Sequence, residues 1–303
     1  MLKGLAITPP VIGRISIGRV VERNGKRLPE KDDQFTLTSQ VQNRDGWVLH
    51  PMDEALRKEA GGKLRSIPVR LVFNDPALNL RADYSLFDRT TGRPVCVGNG
   101  ETSRRVGNEG VTQQPCPGPE VCPFASGDCK AYARFNVIVG DGEEDALGSF
   151  VLRTTSFNTI RTLAARLQYF SAVSGGRLAC MPLELKLRGK STAMSFRTAI
   201  YYVDLVVRTG LTLEHAISQA REVDADRKTS GFDQEALDDA ARRGFSNGAF
   251  EDLIEDVPAV VEEFYSYAVD AGGGEPTTAE AGLCSRLEQK VADLPPLSRT
   301  SRS

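Results

Sequence analysis

The sequence predicts an α+β protein whose front, residues 1–208, is a largely antiparallel β domain with one packed helix. Three observations support this class. Short apolar or alternating runs bounded by turn residues recur through the front and are typical of strands. One long segment of the front has helical periodicity instead. After residue 208 the chain carries only short helical patterns with acidic outer faces, followed by a polar tail.

The clearest strand signals are runs of apolar or alternating residues at 67–73, 135–139 and 147–153. In residues 183–188 leucines alternate with charged side chains, which predicts a half-exposed strand. Residues 197–207 form a second run with one apolar face. Because too few residues join these last two runs for a parallel crossover, we expect them to pair as an antiparallel hairpin.

One helix is predicted within the front, over residues 158–173, where apolar side chains recur at helical spacing. The glycine pair at 175–176 ends the pattern. Arg161 and Arg166 lie on its polar face, and Arg153 comes shortly before it. Such charges usually solvate the outer face of a helix, and the alternative is a basic docking surface.

Four cysteines, with the spacing C-x19-C-x5-C-x6-C, fall in the polar stretch 96–129: Cys96, Cys116, Cys122 and Cys129. This stretch is rich in Gly, Pro, Asn and Ser and cannot build a hydrophobic core, and such loops are commonly fixed by a metal or by disulfides. Four thiolates suit a closed tetrahedral zinc site that leaves no position open for a substrate. We therefore predict a structural Zn²⁺ that braces the loop, and the alternative is four thiols without a metal.

The rear of the chain, residues 209–270, is predicted to be a small acidic helical appendage. Thr212 can cap a first helix, a second pattern runs from residue 232 to 241, and a third begins near residue 256 with a proline in its first turn. Residues 271–303 contain few groups able to form a core, so we expect a flexible tail.

The chain is nearly neutral, with 38 Lys and Arg against 40 Asp and Glu, but its charge is unevenly distributed. Residues 1–208 carry 29 basic against 21 acidic residues, and residues 209–303 carry 9 against 19. A net charge of +8 on the front is too small to establish DNA binding by itself.

The chain shows no secretory signal pattern and no apolar run long enough to span a bilayer, so we expect a cytoplasmic protein. A reducing cytoplasm favours thiolate–metal bonds over disulfides, and the isolated Cys180 is expected to be a small buried hydrophobe.

The sequence contains no recognisable catalytic motif. His50 and His215 belong to no metal-binding or nucleophile-activating pattern. The GKST at residues 189–192 lacks the upstream glycine of a phosphate-binding loop, since position 184 is Glu, and it joins two strands. Acidic pairs such as Asp238 and Asp239 indicate a solvated helix face. We therefore expect no catalytic residues.

Residues 12–39, IGRISIGRVVERNGKRLPEKDDQFTLTS, resemble the start of the recombination directionality factors that partner serine integrases in actinophages. Those proteins share an isoleucine-rich run, a GK-x-RPEK-like segment and a D-x-F-x-x-TS strand. Leu28 interrupts the RPEK order here. The residues that carry the resemblance are Arg27, Pro29, Glu30, Lys31, Asp33, Phe35, Thr38 and Ser39. Further similarity lies in RSIPV (65–69), the cysteine loop, SFVLRTTSFNTIRTL and PLELKLRGKST, so that residues 2–207 are covered.

The resemblance implies a non-catalytic accessory protein of a prophage or integrative element. Such a factor binds a serine integrase on its DNA and favours excision over integration, which is a population shift caused by differential binding. The basic residues that are candidates for contact with the integrase or with DNA are Arg27, Lys31, Arg153, Arg161 and Arg166.

Two alternatives remain open at this point. The first is a zinc-containing accessory protein that binds single-stranded DNA, with aromatic side chains such as Tyr132, Phe135, Tyr169 and Tyr201 stacking on bases. The second is a metal-dependent hydrolase with dispersed ligands, because similar proteins are often labelled "hydrolase or metal-binding protein".

Overall fold

The computed structural model describes residues 9–23, 26–43, 46–107, 110–125, 127–140, 148–191 and 199–244, without the side chains of residues 19–31. The strands in these ranges are β1 (Val11–Arg23), β2 (Lys26–Asn43), β3 (Gly46–Leu49), β4 (Ser66–Arg70), β5 (Leu80–Phe87), β6 (Pro94–Gly98), β7 (Thr102–Gly107), β8 (Gly110–Pro115), β9 (Lys130–Val139), β10 (Ser149–Thr154), β11 (Leu183–Lys190) and β12 (Ile200–Val207). The helices are α1 (Pro51–Glu59), α2 (Pro76–Asn79), α3 (Phe157–Val173), α4 (Leu213–Thr229) and α5 (Gln234–Gly244), with a 3₁₀ turn at Leu178–Cys180.

The described strands form one large sheet in the order β3-β2-β1-β10-β9-β5-β6-β7-β8. A branch leaves this path where β4 pairs with β9, and β11 pairs with β4 and β12. Among the described pairings, β1 and β10 run parallel, and the other pairs are antiparallel. The predicted α+β class with a largely antiparallel sheet is confirmed.

The hairpin predicted from residues 183–188 and 197–207 is present. β11 and β12 are antiparallel neighbours, with Leu183 opposite Val207 and Leu187 opposite Val203. Alternate leucines of β11 pack into the core while the charged residues between them lie on the other face, as the period of two requires. Residues 192–198, which lie between the two strands and include the predicted start at Arg197, are outside the described ranges.

Helix α3 matches the predicted helix closely. Its N-cap is Ser156, whose side chain accepts a hydrogen bond from the Thr159 N–H. The apolar face, which includes Leu163 and Leu167, is buried in the main core. The helix also joins the sheet through a hydrogen bond of 3.2 Å from the Val203 N–H to the Thr159 hydroxyl. A buried leucine contributes about 1.5–3 kcal/mol, so packing and capping together hold this helix against the sheet.

The main core lies on one face of the central strands. Ala133, Phe135 and Val137 alternate along β9, and Phe150 and Leu152 alternate along β10. These side chains are essentially inaccessible to solvent. Successive side chains of a strand point to opposite faces, so the residues between them, which are polar in most cases, lie on the other face. That second face carries the basic side chains described below.

Part of the segment 12–39 has a structural role. Phe35 is fully buried in the core. Asp33 forms ion pairs with Lys63 and Arg65, and the Lys63 ammonium holds the pKa of Asp33 well below its usual range. These contacts connect β2 to the segment that leads into β4, so this part of the motif stabilises the fold.

Helices α4 and α5 pack directly on the front. Thr212 caps α4, as predicted, by accepting a hydrogen bond from the His215 N–H, and Ala216 and Ala220 join the main core. Asp238 of α5 was expected on a solvated face, and this is wrong. Asp238 is 4 % exposed, and its carboxylate accepts hydrogen bonds from the backbone N–H groups at positions 74 and 75, which offset the cost of burial.

Several predictions fall outside the described residues. These are the third helical pattern near residue 256 and the tail at 271–303. The expected division at 208 and 270 stays a prediction. Cys180 is buried, as expected. Of the helices in the described part of the chain, none has both the length and the apolar character that crossing a bilayer demands.

Candidate functional site

The cysteine loop is brought together by strands that are distant in sequence. Leu86 of β5 pairs with Cys96 of β6 on one side, and the neighbouring Ser85 pairs with Lys130 of β9 on the other. Cys129 directly precedes Lys130. The first and last cysteines of the motif therefore flank the same end of β5, although 32 residues lie between them in sequence.

Cys116 directly follows β8, and its sulfur lies close to Gly98 of β6. Its N–H donates a hydrogen bond of 2.8 Å to the Glu101 carbonyl. A Cβ atom placed on Gly98 would lie 2.8 Å from the Cys116 Sγ, 2.8 Å from the Ser103 Cβ and 2.9 Å from the Thr102 carbonyl oxygen. Contacts this short do not occur, so the sulfur can approach β6 only because position 98 has no side chain.

Cys122 lies in a turn that the backbone closes. The Ala125 N–H donates to the Cys122 carbonyl at 3.1 Å, and the Asp128 N–H donates to the Ala125 carbonyl at 2.9 Å. An ion pair of 3.0 Å between Arg89 and Asp128 ties this turn to the connection between β5 and β6. All four cysteines are half-buried.

The thiol of Cys129 is affected electrostatically by the other three thiols of the loop. The pKa of Cys129 is raised to about 11, first by burial and then by the nearby thiols of Cys96, Cys116 and Cys122. Each additional thiolate would repel the others, so ionisation of the set requires a neutralising cation. The thiols of Cys96, Cys116 and Cys122 thus all contribute to the raised pKa of Cys129.

The four thiols of the loop have the chemistry of a structural zinc site, although the described structure does not place their sulfurs as a coordination sphere. Within the described ranges, no group of three or more His, Cys, Asp or Glu side chains has the geometry to hold a metal ion. Four soft thiolates without a histidine or carboxylate are nevertheless a characteristic ligand set of closed zinc sites. Zinc at Cys96, Cys116, Cys122 and Cys129 stays a prediction.

Of the predicted basic contact residues, the structure describes the side chains of Arg153, Arg161 and Arg166, which lie in different surroundings. Arg161 is exposed on the outer face of α3, and Arg153 is half-buried on β10. The side chains of Arg27 and Lys31 lie outside the described part of β2. Arg166 is part of a different interaction, with a buried carboxylate.

Arg166 and Arg188 both bind Asp204 of β12. The Arg166 guanidinium donates to both carboxylate oxygens, at 2.9 and 3.3 Å, and Arg188 Nε donates to Oδ2 at 3.3 Å. The Leu205 N–H donates to Oδ1 at 2.9 Å. Asp204 is 4 % exposed, so these donors compensate a buried charge and give Arg166 a structural role.

Two of the aromatic candidates for base stacking are buried. Phe135 lies in the core, and Tyr132 packs edge-to-face against Phe87 with ring centroids 5.4 Å apart. Neither ring offers a face to a base. Tyr169 is exposed on α3 and Tyr201 is half-buried on β12, so the four rings do not form a stacking surface.

The sequence analysis missed a row of arginines on the sheet face opposite the main core. Arg134 of β9 is directly opposite Arg81 of β5 and directly opposite Arg153 of β10. We call Arg81, Arg134 and Arg153 the arginine row. The pKa of Arg134 is lowered to about 10, mainly by burial, and the two flanking guanidinium groups lower it further, whereas Tyr132 and Asp83 act in the opposite direction. The polar alternation of residues 130–136 was the available signal, but the pairing of strands was needed to reveal the row.

Comparison with known protein families identifies the chain. A family model described as Gp3-like, recombination directionality factor-like, matches residues 12–208, which is more than half of the 303 residues. The chain belongs to the recombination directionality factor-like family. No curated protein and no solved structure matches it. The family region begins in β1 and ends directly after β12, so this directionality factor-like protein carries α4 and α5 beyond it.

Proposed function

We propose that this protein is a non-catalytic accessory factor that binds a serine integrase on DNA and biases it toward excision. The observation that carries the proposal is the family match over residues 12–208. A directionality factor changes the outcome of recombination, while the integrase itself cuts and joins the strands. The factor therefore has to recognise a conformation of its partner and needs no reacting group of its own.

The energetic requirement can be stated simply. To move two alternative integrase assemblies from 1:99 to 99:1, the factor must bind the favoured one about 10⁴-fold more tightly, or about 5.5 kcal/mol. Such discrimination needs surfaces that are held in fixed positions. The large sheet, with α3 packed on it by Leu163 and Leu167, is a rigid support of this kind.

In this proposal the cysteine loop is a second rigid element. A Zn²⁺ bound by Cys96, Cys116, Cys122 and Cys129 would offset part of the thiolate charge and connect β6, the end of β8 and the start of β9. Because metal binding and local folding are linked, removal of the metal would release the loop. We expect integrase binding and zinc binding to be lost together.

An excision assay tests the proposal. The full chain is added to the integrase encoded by the same mobile element, together with DNA that carries the hybrid attachment sites. We expect the wild-type protein to stimulate excision and Cys122→Ser to abolish both stoichiometric zinc and stimulation. Cys180→Ser is the matched control, since Cys180 is a thiol outside the loop, and it should retain both properties.

Two results would count against the proposal. If excision is equally fast with and without the protein, the protein is not a directionality factor for that integrase, and single-stranded DNA binding becomes the function to test. If Cys122→Ser stimulates excision like wild type although its zinc is lost, the loop has no part in partner binding. Deletion of the residues after Asp270 should have a smaller effect than the Cys122 substitution.

A further inference from the structure

The β11–β12 hairpin has a basic surface on the face opposite the core. Lys186, Arg188 and Lys190 alternate along β11, and the residue directly opposite Lys186 on β12 is Asp204. Arg166 of α3 borders the same face, because its guanidinium donates to both oxygens of the Asp204 carboxylate. The exposed or half-buried side chains that share this face are called the hairpin surface: Lys186, Arg188, Lys190, Ile200, Tyr202 and Arg166.

The positive charge of the hairpin surface is only partly compensated. Arg166 and Arg188 share the single carboxylate of Asp204. The Lys186 ammonium lies 3.6 Å from an oxygen of Glu184 on the same strand. These cations remain accessible, since the side chains of Arg166, Lys186 and Arg188 are 41, 39 and 44 % exposed.

Two further cations adjoin these three. The Lys190 ammonium donates to the uncharged Asn158 side chain of α3 at 2.7 Å. Arg161 lies one helical turn after Asn158 and is exposed, and within the described part of the chain it has no carboxylate partner. Five cations therefore face two carboxylates on this side of the described structure.

Apolar side chains are exposed within and beside the same surface. Ile200, directly opposite Lys190, is 40 % exposed, and Phe157 at the start of α3 is 58 % exposed. Tyr169 is 45 % exposed and lies close enough to Arg166 to affect its charge. Contacts with a phosphate backbone are polar and would leave these side chains uncovered. A protein segment that carries both carboxylates and apolar side chains would use the whole surface.

The chain itself contains a segment of this composition. Residues 244–285 include nine Asp and Glu and no Lys or Arg. Within them, residues 251–264, EDLIEDVPAVVEEF, combine six carboxylates with leucine, isoleucine, valine and phenylalanine side chains. The third predicted helical pattern begins in this segment, near residue 256. Its charge and its apolar content thus complement those of the hairpin surface.

The connection is long enough for the segment to reach this surface. The described chain ends at Gly244 of α5, and α2 contacts both α5 and α3. Residues 245–250 can span about 20 Å when extended, and β11, with 8 residues, is about 26 Å long. A short tether also gives the segment an effective concentration in the millimolar range, so weak contacts are sufficient.

We propose that residues 251–264 bind the hairpin surface of the same molecule. Their carboxylates pair with the cations that Asp204 and Glu184 leave in excess, and their apolar side chains cover Ile200 and Phe157. The segment lies beyond the family region 12–208, so this contact is an addition to the family domain. Any partner that uses the hairpin surface has to displace the segment first, and the contact thereby regulates access to it. This inference does not depend on the proposed function.

Zero-length cross-linking of the zinc-replete full chain tests the contact. A water-soluble carbodiimide joins a lysine amine to a touching carboxylate as an amide, with the overall loss of one water. Equal amounts of ¹⁴N- and ¹⁵N-labelled protein are mixed before the reaction, so that links within one molecule are distinguished from links between two. We expect mass spectrometry to find amides within one molecule that join Lys186 or Lys190 to a carboxylate of residues 251–263.

Two other lysines are the controls. Lys63 forms an ion pair with Asp33, so a link between these two residues shows that the reaction works. Lys58 is exposed on α1, away from the hairpin surface, and should give no link to residues 251–263.

Two variants and added salt test the role of charge. Arg161→Glu reverses an exposed charge beside the surface and should lower the yield of links about two- to five-fold, the effect of one exposed ion pair. Arg221→Glu reverses an exposed charge on α4 and should behave as wild type. Raising the salt from about 0.1 to about 1 M shortens the screening length from about 10 to about 3 Å, so the wild-type links should also become rarer. Thermal unfolding confirms that each variant is folded.

Four results would overturn the inference. Lys186 and Lys190 giving no link while Lys63 does would leave the surface to a separate acidic partner. Links from Lys58 at an equal yield would show that the segment makes no specific contact. Links between light and heavy chains would assign the surface to a second copy, and equal yields in Arg161→Glu and Arg221→Glu would refute the electrostatic basis. Excision is not measured here, so the proposed function can fail while this contact is confirmed.

Discussion

The replacement Gly98→Ala tests the packing of the cysteine loop most directly. The new Cβ would lie 2.8 Å from the Cys116 Sγ, 2.8 Å from the Ser103 Cβ and 2.9 Å from the Thr102 carbonyl oxygen. Two of these neighbours belong to the adjacent β7 strand and cannot rotate away. Overpacking of this kind typically costs about 1–3 kcal/mol, and the backbone of β6 must shift to relieve it.

Gly107→Ala is the matched control. Gly107 lies in β7 of the same part of the sheet, and among the described residues a Cβ atom there would meet the Gly110 carbonyl oxygen at 3.7 Å, an ordinary contact. Neither glycine has a positive φ, so the two substitutions differ mainly in the space available. Replacing a glycine that is free of strain stabilises by about 0.4–1 kcal/mol through the unfolded chain. We expect Gly107→Ala to be neutral or slightly stabilising.

Thermal unfolding and zinc affinity are the two assays. A cost of about 2 kcal/mol lowers the midpoint by about 4–8 °C for a domain of this size. The affinity for zinc should fall in Gly98→Ala and not in Gly107→Ala, because only the first displaces the Cys116 sulfur. The reasoning is wrong if the two variants have the same unfolding temperature and the same zinc affinity.

Two further predictions concern the titration of the loop and the ion pairs of β12. Because the pKa of Cys129 is raised to about 11, its thiol is protonated at neutral pH and must release a proton to bind a metal, so zinc affinity should rise from pH 6 to pH 8 when measured against a competing chelator. A pH-independent affinity would contradict the assignment of this thiol. Asp204→Asn should lower the free energy of unfolding by about 2 kcal/mol in urea, less than for a fully buried pair because Arg166 and Arg188 remain partly exposed. Asp239→Asn, at an exposed ion pair, should cost about 0–1 kcal/mol, and equal losses in the two variants would refute the structural role of Asp204.

Local patterns were sufficient for the elements whose contacts are close in sequence. The β11–β12 hairpin followed from two alternating runs with a short connection, and its register repeats that alternation. Helix α3 and its burial followed from apolar residues at helical spacing, and the cap of α4 followed from Thr212. In each case the period of the side chains and a hydrogen bond within a few residues determine the structure.

The surroundings of individual charged residues could not be predicted where distant segments meet. Asp238 has the sequence surroundings of a solvated residue, yet the backbone at positions 74 and 75 supplies the hydrogen bonds that allow its burial. Arg166 has the spacing of an outer helical face, yet Asp204 lies within reach on β12. A local pattern contains no information about donors or acceptors that approach from more than 30 residues away.

The sequence by itself determined the α+β class, the family resemblance, the runs that form β4, β9, β10, β11 and β12, and the chemical character of the four-cysteine loop, because these depend on periodicity, motif order and residue type. Only the tertiary structure decided which side chains share a surface. The order β10-β9-β5 aligns Arg153, Arg134 and Arg81, and the neighbouring order β9-β5-β6 places Cys129 and Cys96 at one end of β5. Strand order and register arise from packing of the whole core, so neither juxtaposition can be read from spacing along the chain.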